Sequence, residues 1–204
     1  MQSQLLGPAD FIRMPWKNGQ GVTTELAVAR RADGDSFDWR ISTATVASAG
    51  PFSVFPGIDR SLAIVRGGAL TLNVEGRDDV TLTTQTPAYV FGGELAVSST
   101  PSLDVQGVPI DDFNVMTRRE GWQHTLVQQR LGDEPHVWQH PTQSGATAFL
   151  YAVGDVEATL ADGQRVDVAS GHALRFDAEA DAGTVALRAK DVPCDVFLTV
   201  ISRR

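Results

Sequence analysis

LAIVRGGALTLNVEGRDDVTLTTQTPAYVFGGE (residues 62–94) can be laid over AFLYAVGDVEATLADGQRVDVASGHALRFDAE (148–179) as a second copy of the same unit. Each copy opens with a strand-like run, turns tightly at Gly67-Gly68 or Gly154-Asp155, and continues as a run of alternating residues. A second turn follows at Glu75-Gly76-Arg77 or Asp162-Gly163-Gln164, and an aromatic run closes each copy at Phe91 or Phe176. Gly-Asp and Asp-Gly pairs between β-like runs mark hairpins, because such turns need positive φ. An internal repeat outranks local signals in deciding a fold. Two hairpin-rich copies predict an all-β protein: a pair of antiparallel β-barrels, the first about 1–120 and the second about 121–204, packed into one compact body. Closure of antiparallel strands would also protect their edges.

The flanking sequence agrees. FDWRISTATVA (37–47), LAIVR (62–66), LTLNV (70–74), VTLTT (80–84), AYVF (88–91), TLVQQRL (125–131), ATAFLYAV (146–153), TVALRA (184–189) and VFLTVI (196–201) are rich in β-branched and aromatic residues and bounded by turn formers. Residues 110–122 allow one helical turn, although Gly121 and the NVMT run favour a strand. No linker rich in Pro, Gly or Ser separates the two copies.

Composition narrows the function. With 42% hydrophobic residues, the 204-residue chain can bury a proper core. A net charge of −8, spread along the chain, argues against nucleic acid, which needs a basic footprint. Cys194 is the only cysteine, so no internal disulfide can form. The start lacks the basic and apolar regions of a signal peptide, and no apolar run approaches the roughly 18 residues of a membrane span. The expected location is the cytoplasm, with no membrane partner.

Catalytic signatures are missing. There is no G-x-S-x-G elbow, no H-E-x-x-H and no phosphate-binding P-loop. Of His124, His136, His140 and His172, only the pair in PHVWQHP lies close, and its flanking prolines oppose the helix that would align it. Neither a metal site nor a cofactor is therefore expected. Gly19-Gln20-Gly21 follows no strand and has no third glycine at nucleotide-binding spacing.

MPWKNGQGVTTE (14–25) holds one of only two lysines in the chain. Trp16 offers a flat apolar wall, Lys17 a cationic donor, and Asn18 both donors and an acceptor. Gly19 and Gly21 let backbone N–H groups approach a ligand, and Thr23, Thr24 and Glu25 add polar groups. A surface turn with Trp16 as a core plug is the plainer alternative. In DWRIS, Arg40 and Ser42 share one strand face, where the guanidinium fork would suit a carboxylate. In PFSVFPGIDRS (51–61), Phe52 and Phe55 flank a Pro-Gly turn that presents Asp59 and Arg60. For each arginine the plainer alternative is a solvated strand end or an ion pair, such as Asp59 with Arg60.

WKNGxG (16–21), DWRIS (38–42), FSxFPGxDR (52–60) and NVM (114–116) occur in the order and spacing of the HutD/Ves family, which this chain resembles over nearly its whole length. The resemblance implies an RmlC-like, double-barrel (bicupin) cupin without the usual cupin metal ligands. It also marks Asn114 and Met116 as site residues. HutD proteins accompany bacterial histidine-utilisation genes and are thought to bind an intermediate such as formylglutamate or urocanate as a brake on the pathway. Ves proteins are named for induction under environmental stress. Gln20 departs from the family, which often has a glycine there.

Together these readings give a metal-independent regulator that binds a small acidic metabolite. Arg40 or Arg60 would clamp the carboxylate, Lys17 and Asn18 would read polar groups, and Trp16, Phe52 or Phe55 would cover the apolar part. A metal-independent isomerase or hydrolase stays open, with Glu25 or Asp59 as acid/base and Lys17 as electrophile. So does a protein-interaction module, and an open edge strand would allow a homodimer.

Overall fold

All nine strand-like runs of the sequence fall on β-strands in a computed structural model of the chain, which describes residues 2–16, 21–104, 106–140, 145–177 and 183–204. The strands are β1 (Gln2–Leu6), β2 (Ile12–Pro15), β3 (Gly21–Arg30), β4 (Phe37–Val46), β5 (Gly50–Pro51), β6 (Ile58–Arg66), β7 (Ala69–Val74), β8 (Val80–Leu82), β9 (Tyr89–Gly92), β10 (Val97–Ser102) and β11 (Ile110–Arg118). They continue with β12 (Trp122–Leu131), β13 (His136–His140), β14 (Thr147–Ala152), β15 (Val156–Thr159), β16 (Arg165–Val168), β17 (Ala173–Asp177), β18 (Gly183–Ala189) and β19 (Cys194–Arg203). No helix occurs among the described residues, so the helical turn allowed at 110–122 gives way to β11 and the start of β12. Phe113, Val115 and Thr117 alternate along β11 with Asp112, Asn114 and Met116, and all six are buried. With both faces covered, this strand lacks the polar–apolar alternation that marks a half-exposed one.

Two units divide the chain. A central unit comprises Phe11–Trp122, and a terminal unit joins Met1–Asp10 to Gln123–Arg204. The first ten residues fall with the terminal unit, because β1 pairs with β17 from Gln2↔Asp177 to Leu6↔Ala173. Short strands such as QSQLL carry no label for their partner; the vacant edge of β17 supplies it.

The central unit has a six-stranded sheet, β2-β3-β4-β11-β6-β9, and a four-stranded sheet, β5-β10-β7-β8. The terminal unit repeats the plan with β1-β17-β14-β19-β12 and β13-β18-β15-β16. The copies share a central arrangement: β6 lies between β11 and β9 as β14 lies between β19 and β17, and β7 lies between β10 and β8 as β15 lies between β18 and β16. Every sheet ends in edge strands, so the sheets are open, which corrects the expectation of closed barrels. Three edges are short, β5 with 2 residues, β8 with 3 and β16 with 4, whereas the edge strand β12 runs for 10.

Each unit's core joins its two sheets. In the central unit Leu62, Ile64 and Ile110 of the large sheet cluster with Leu70, Leu72 and Val97 of the small one. In the terminal unit Leu150, Leu174 and Val196 cluster with Val156, Val168, Val185 and Leu187. This is the sandwich solution, in which apolar residues of two sheets pack against each other.

Candidate functional site

The large sheet of the central unit carries its polar side chains in rows. Across β4, β11 and β6 the register sets Arg40 beside Met116 and Met116 beside Arg60, then Ser42 beside Asn114 and Asn114 beside Leu62, then Ala44 beside Asp112 and Asp112 beside Ile64. Residues two apart on a strand share a face. These rows therefore run from an apolar floor, where Leu62 and Ile64 belong to the core, to a polar mouth holding both arginines. The mouth is a cavity of about 630 Å³, lined also by Met14, Trp16, Thr23, Phe52 and Phe55. That volume suits a small metabolite.

Neither arginine is a solvated strand end. Arg60 is 5% exposed and donates from Nη2 to Asn114 Oδ1 at 2.9 Å. Its guanidinium carbon lies 4.9 Å from the ring centre of Phe91, 5.2 Å from Phe52 and 5.7 Å from Phe55. The Arg40 guanidinium carbon lies 5.0 Å from Phe37 and 5.2 Å from Phe55, and its Nη2 donates to the Met116 sulfur at 3.3 Å. Neither forms an ion pair among the described residues, and the Nε of each is buried without a hydrogen-bond partner. Aromatic faces stabilise such cations by roughly 1–2 kcal/mol each when water is excluded. Desolvation still dominates: it draws Arg60 down to about 10 and lowers Arg40 as well. Both groups hold their charge at neutral pH at a cost to the fold, and each keeps a donor free.

Asp112 adds a carboxyl to the lining at the floor end of these rows. It is 2% exposed, and its Oδ1 accepts from Asn114 Nδ2 at 2.7 Å, so Asp112, Asn114 and Arg60 form one hydrogen-bonded chain. Burial pushes its carboxyl up to about 7, against the opposing pull of Arg60 and the Asn114 amide.

The loop 52–57 is not a strand, and backbone bonds fix it instead. Phe52 N donates to Val97 O at 2.8 Å, Phe55 N to Gly93 O at 2.7 Å, and Gly93 N to Ile58 O at 2.6 Å. A Cβ on Gly93 would stand 2.6 Å from the Phe55 carbonyl oxygen, so glycine is required there for the loop to close over the arginines. Trp16 is held at the opposite wall, where Nε1 donates to Thr23 Oγ1 at 2.9 Å.

Of the sequence candidates, Trp16, Arg40, Ser42, Phe52, Phe55, Arg60, Asn114 and Met116 meet at this one cavity. Lys17, Asn18 and Gly19, with Gln20, lie outside the described residues. Gly21 serves Trp16: a Cβ there would stand 2.6 Å from the indole, and its carbonyl accepts from the Trp16 amide at 2.9 Å. Thr24 follows Thr23 on the strand and so faces away from the cavity. Glu25 is buried but bound to Arg30 at 2.6 Å. Asp59 faces away from Arg60 and accepts from Arg119 at 2.7 Å, so the Asp59–Arg60 pair does not form. Sequence reasoning passed over Asp112, Phe37 and Phe91. The two-residue spacing of Asp112, Asn114 and Met116 was the available signal, obscured by the adjacent Asp111.

An all-β chain of paired sheets with a cavity on the face of one of them is cupin-like. A cupin 2 conserved barrel domain protein from Leptotrichia buccalis matches 94% of this chain and 92% of its own, with a TM-score of 0.54 at 10% identity. Within that class, the family model described as HutD matches residues 8–193, and the chain belongs to the HutD family. An uncharacterized 21.2 kDa protein in the hutC 3′ region of Pseudomonas putida is 37% identical over 161 residues, 78% of this chain and 79% of that protein. Protein Ves of Citrobacter koseri is 37% identical over 114 residues, 54% of this chain and 57% of that protein. Among solved structures, a conserved protein of unknown function from Pseudomonas aeruginosa PAO1 gives a TM-score of 0.86 at 29% identity, covering 99% of this chain and 100% of its own. HutD from Pseudomonas fluorescens SBW25, solved in a formate condition, gives 0.79 at 26% identity with both chains covered completely.

Proposed function

We propose that this chain is a cytoplasmic, metal-independent binding protein for a small carboxylate metabolite, acting as a regulator of histidine utilisation. The observation that carries the reading is the pair of guanidiniums, the buried Arg60 and the partly buried Arg40, stacked on aromatic rings with Nε donors unfilled and no carboxylate paired to them among the described residues. A ligand carboxylate supplies the missing partner through charge-assisted bonds, which are about twice as strong as neutral ones. The aromatic walls and Met116 take the apolar part of the ligand. The described lining holds one carboxyl and no histidine or cysteine, a donor set poorly suited to a transition metal. Family membership and the hutC neighbourhood named for the Pseudomonas putida relative support the pathway. Formylglutamate and urocanate, the intermediates that the family resemblance brings forward, both carry carboxylates.

Calorimetric titration with N-formyl-L-glutamate and with urocanate tests this, with proton NMR of the mixture to detect turnover. Saturable binding without product is the expected result, lost in Arg60→Met while the variant still melts cooperatively. Absence of binding by either acid overturns the reading.

A metal-independent isomerase or hydrolase is the second reading, favoured by one observation: a buried carboxyl near 7 in the cavity, poised to exchange a proton at neutral pH. Its acid/base would be Asp112, since Glu25 and Asp59 are held by Arg30 and Arg119. Product in the NMR experiment would establish it.

A further inference from the structure

We infer that a carboxylate entering this cavity brings a proton with it, taken up from solvent at Asp112; the inference rests on the carboxylate-binding reading above. Asp112 is joined to Arg60 only through Asn114, by the 2.7 Å and 2.9 Å bonds described. In the empty cavity Arg60 is the cation that stabilises the Asp112 anion. A ligand carboxylate seated on Arg60 adds a second negative charge to the same guanidinium. Like charges sharing a buried site cannot both remain ionised cheaply, and the more desolvated of the two takes the proton. Asp112 is that group: it stands on the inner side of the relay, whereas the ligand faces the mouth.

The other charged groups near Asp112 reinforce this. On its own strand Asp111 repels it, although Asp111 is turned to the other face and held by Arg66 and Thr45. From β4 the Ala44 backbone favours the anion, and Arg40 stands two rows away beside Met116. From β6 the only facing charge is Arg60, and on β3 Glu25 is occupied by Arg30. With Asp112 ionised the cavity carries two positive charges and one negative; protonated, it presents two positive charges to the anion. Asn114 keeps its contact in either state, because a protonated carboxyl still offers an accepting oxygen.

The linkage sets the direction of pH dependence. Asp112 in the empty cavity sits near 7, and a bound anion raises it further. Below 7 the proton is already present and affinity is flat. Above 7 each pH unit weakens binding by up to about tenfold, until the bound-state value is passed.

N-formyl-L-glutamate is the probe, because its carboxylates stay ionised throughout this range. Titrations at pH 8 in phosphate and in Tris, whose ionisation heats differ, give the number of protons taken up from the dependence of binding enthalpy on buffer. The expected value approaches one. Asp112→Asn imitates the protonated state: it should show no Asp112-linked uptake, bind with nearly the same affinity from pH 6.5 to 9, and at pH 8.5 match or exceed the unsubstituted protein. Binding without proton uptake overturns the linkage alone. So does an Asp112→Asn variant that keeps the pH slope, or that loses affinity equally at every pH. Absence of binding by the unsubstituted protein overturns the carboxylate reading and the linkage with it.

Discussion

Phe91 of the central unit lies opposite Arg60 across the β6–β9 pair, whereas Phe176, its counterpart in the repeat, lies opposite Ala148 across β14–β17. The difference extends along the neighbouring strands. The inward residues of β14 and β19 are Ala148, Leu150, Ala152, Val196, Leu198 and Val200, all in or against one apolar cluster. In the central unit the matching strands β6 and β11 replace part of that cluster with Arg60, Asp112 and Asn114. One plan has thus been finished in two ways. The terminal unit spends its interior on apolar burial, worth roughly 25 cal/mol per Å². The central unit gives up part of that gain to hold two guanidiniums whose Nε groups lack a hydrogen-bond partner among the described residues.

The comparison breaks most sharply if the arginine is moved. Ala148→Arg places a guanidinium at the position opposite Phe176, where Val196 and Leu198 stand in place of the relay residues. It should destabilise the chain by ~3–5 kcal/mol, the cost of an uncompensated buried charge. Thermal melts read this directly, and an unchanged melting temperature would show that the two interiors are equally permissive.

Arg60→Met makes the central unit resemble its companion. Affinity for N-formyl-L-glutamate should fall ~30-fold or more, reflecting a lost charge-assisted pair of about 2–3 kcal/mol. The ligand-free variant should at the same time melt ~2–4 °C higher, because an apolar chain replaces a desolvated cation. A lower melting temperature would mean that the ring contacts outweigh the desolvation that lowers Arg60.

Asp112→Asn sharpens the electrostatic side. The ordinary value for this carboxyl is 3.8, and in the folded protein it is about 7. Between those values the folded chain holds more protons than the unfolded one, so this group's contribution to stability falls as pH rises through the window and is constant above it. The variant should be more stable than the parent at pH 8, by an amount on the order of a few kcal/mol, and similar to it near pH 4. Denaturant unfolding at the two pH values tests the sign, and a deficit at pH 8 would refute it.

Phe55→Leu is the mildest. Phe55 faces both guanidiniums, and its loss should cost about 1 kcal/mol, or roughly fivefold in affinity. Affinity unchanged in calorimetry would remove Phe55 from the site.

Much of this was legible in the residues. β-Branched runs broken by Gly-Asp and Asp-Gly located the strands, and the repeat gave both units. Arg40 with Ser42 followed from alternation in DWRIS, and Phe52, Phe55 and Arg60 from their crowding around one turn. Asp112 was not legible, because its burial comes from β4 and β6 on either side and not from its own neighbours in sequence. Glu25 and Asp59 also misled. Arg30 lies five residues along the same strand as Glu25, and Arg119 stands in a turn distant in sequence from Asp59. The pairing of β1 with β17 is non-local in the extreme.

That last feature bears on how the protein is made. β1 leaves the ribosome long before β17 exists, so Leu5 and its neighbours must remain unpaired while the whole central unit is synthesised. Contacts this distant in sequence slow folding. The terminal sheet can therefore close only as its last strands arrive, and until then the open edge of an early strand is exposed to the crowded cell.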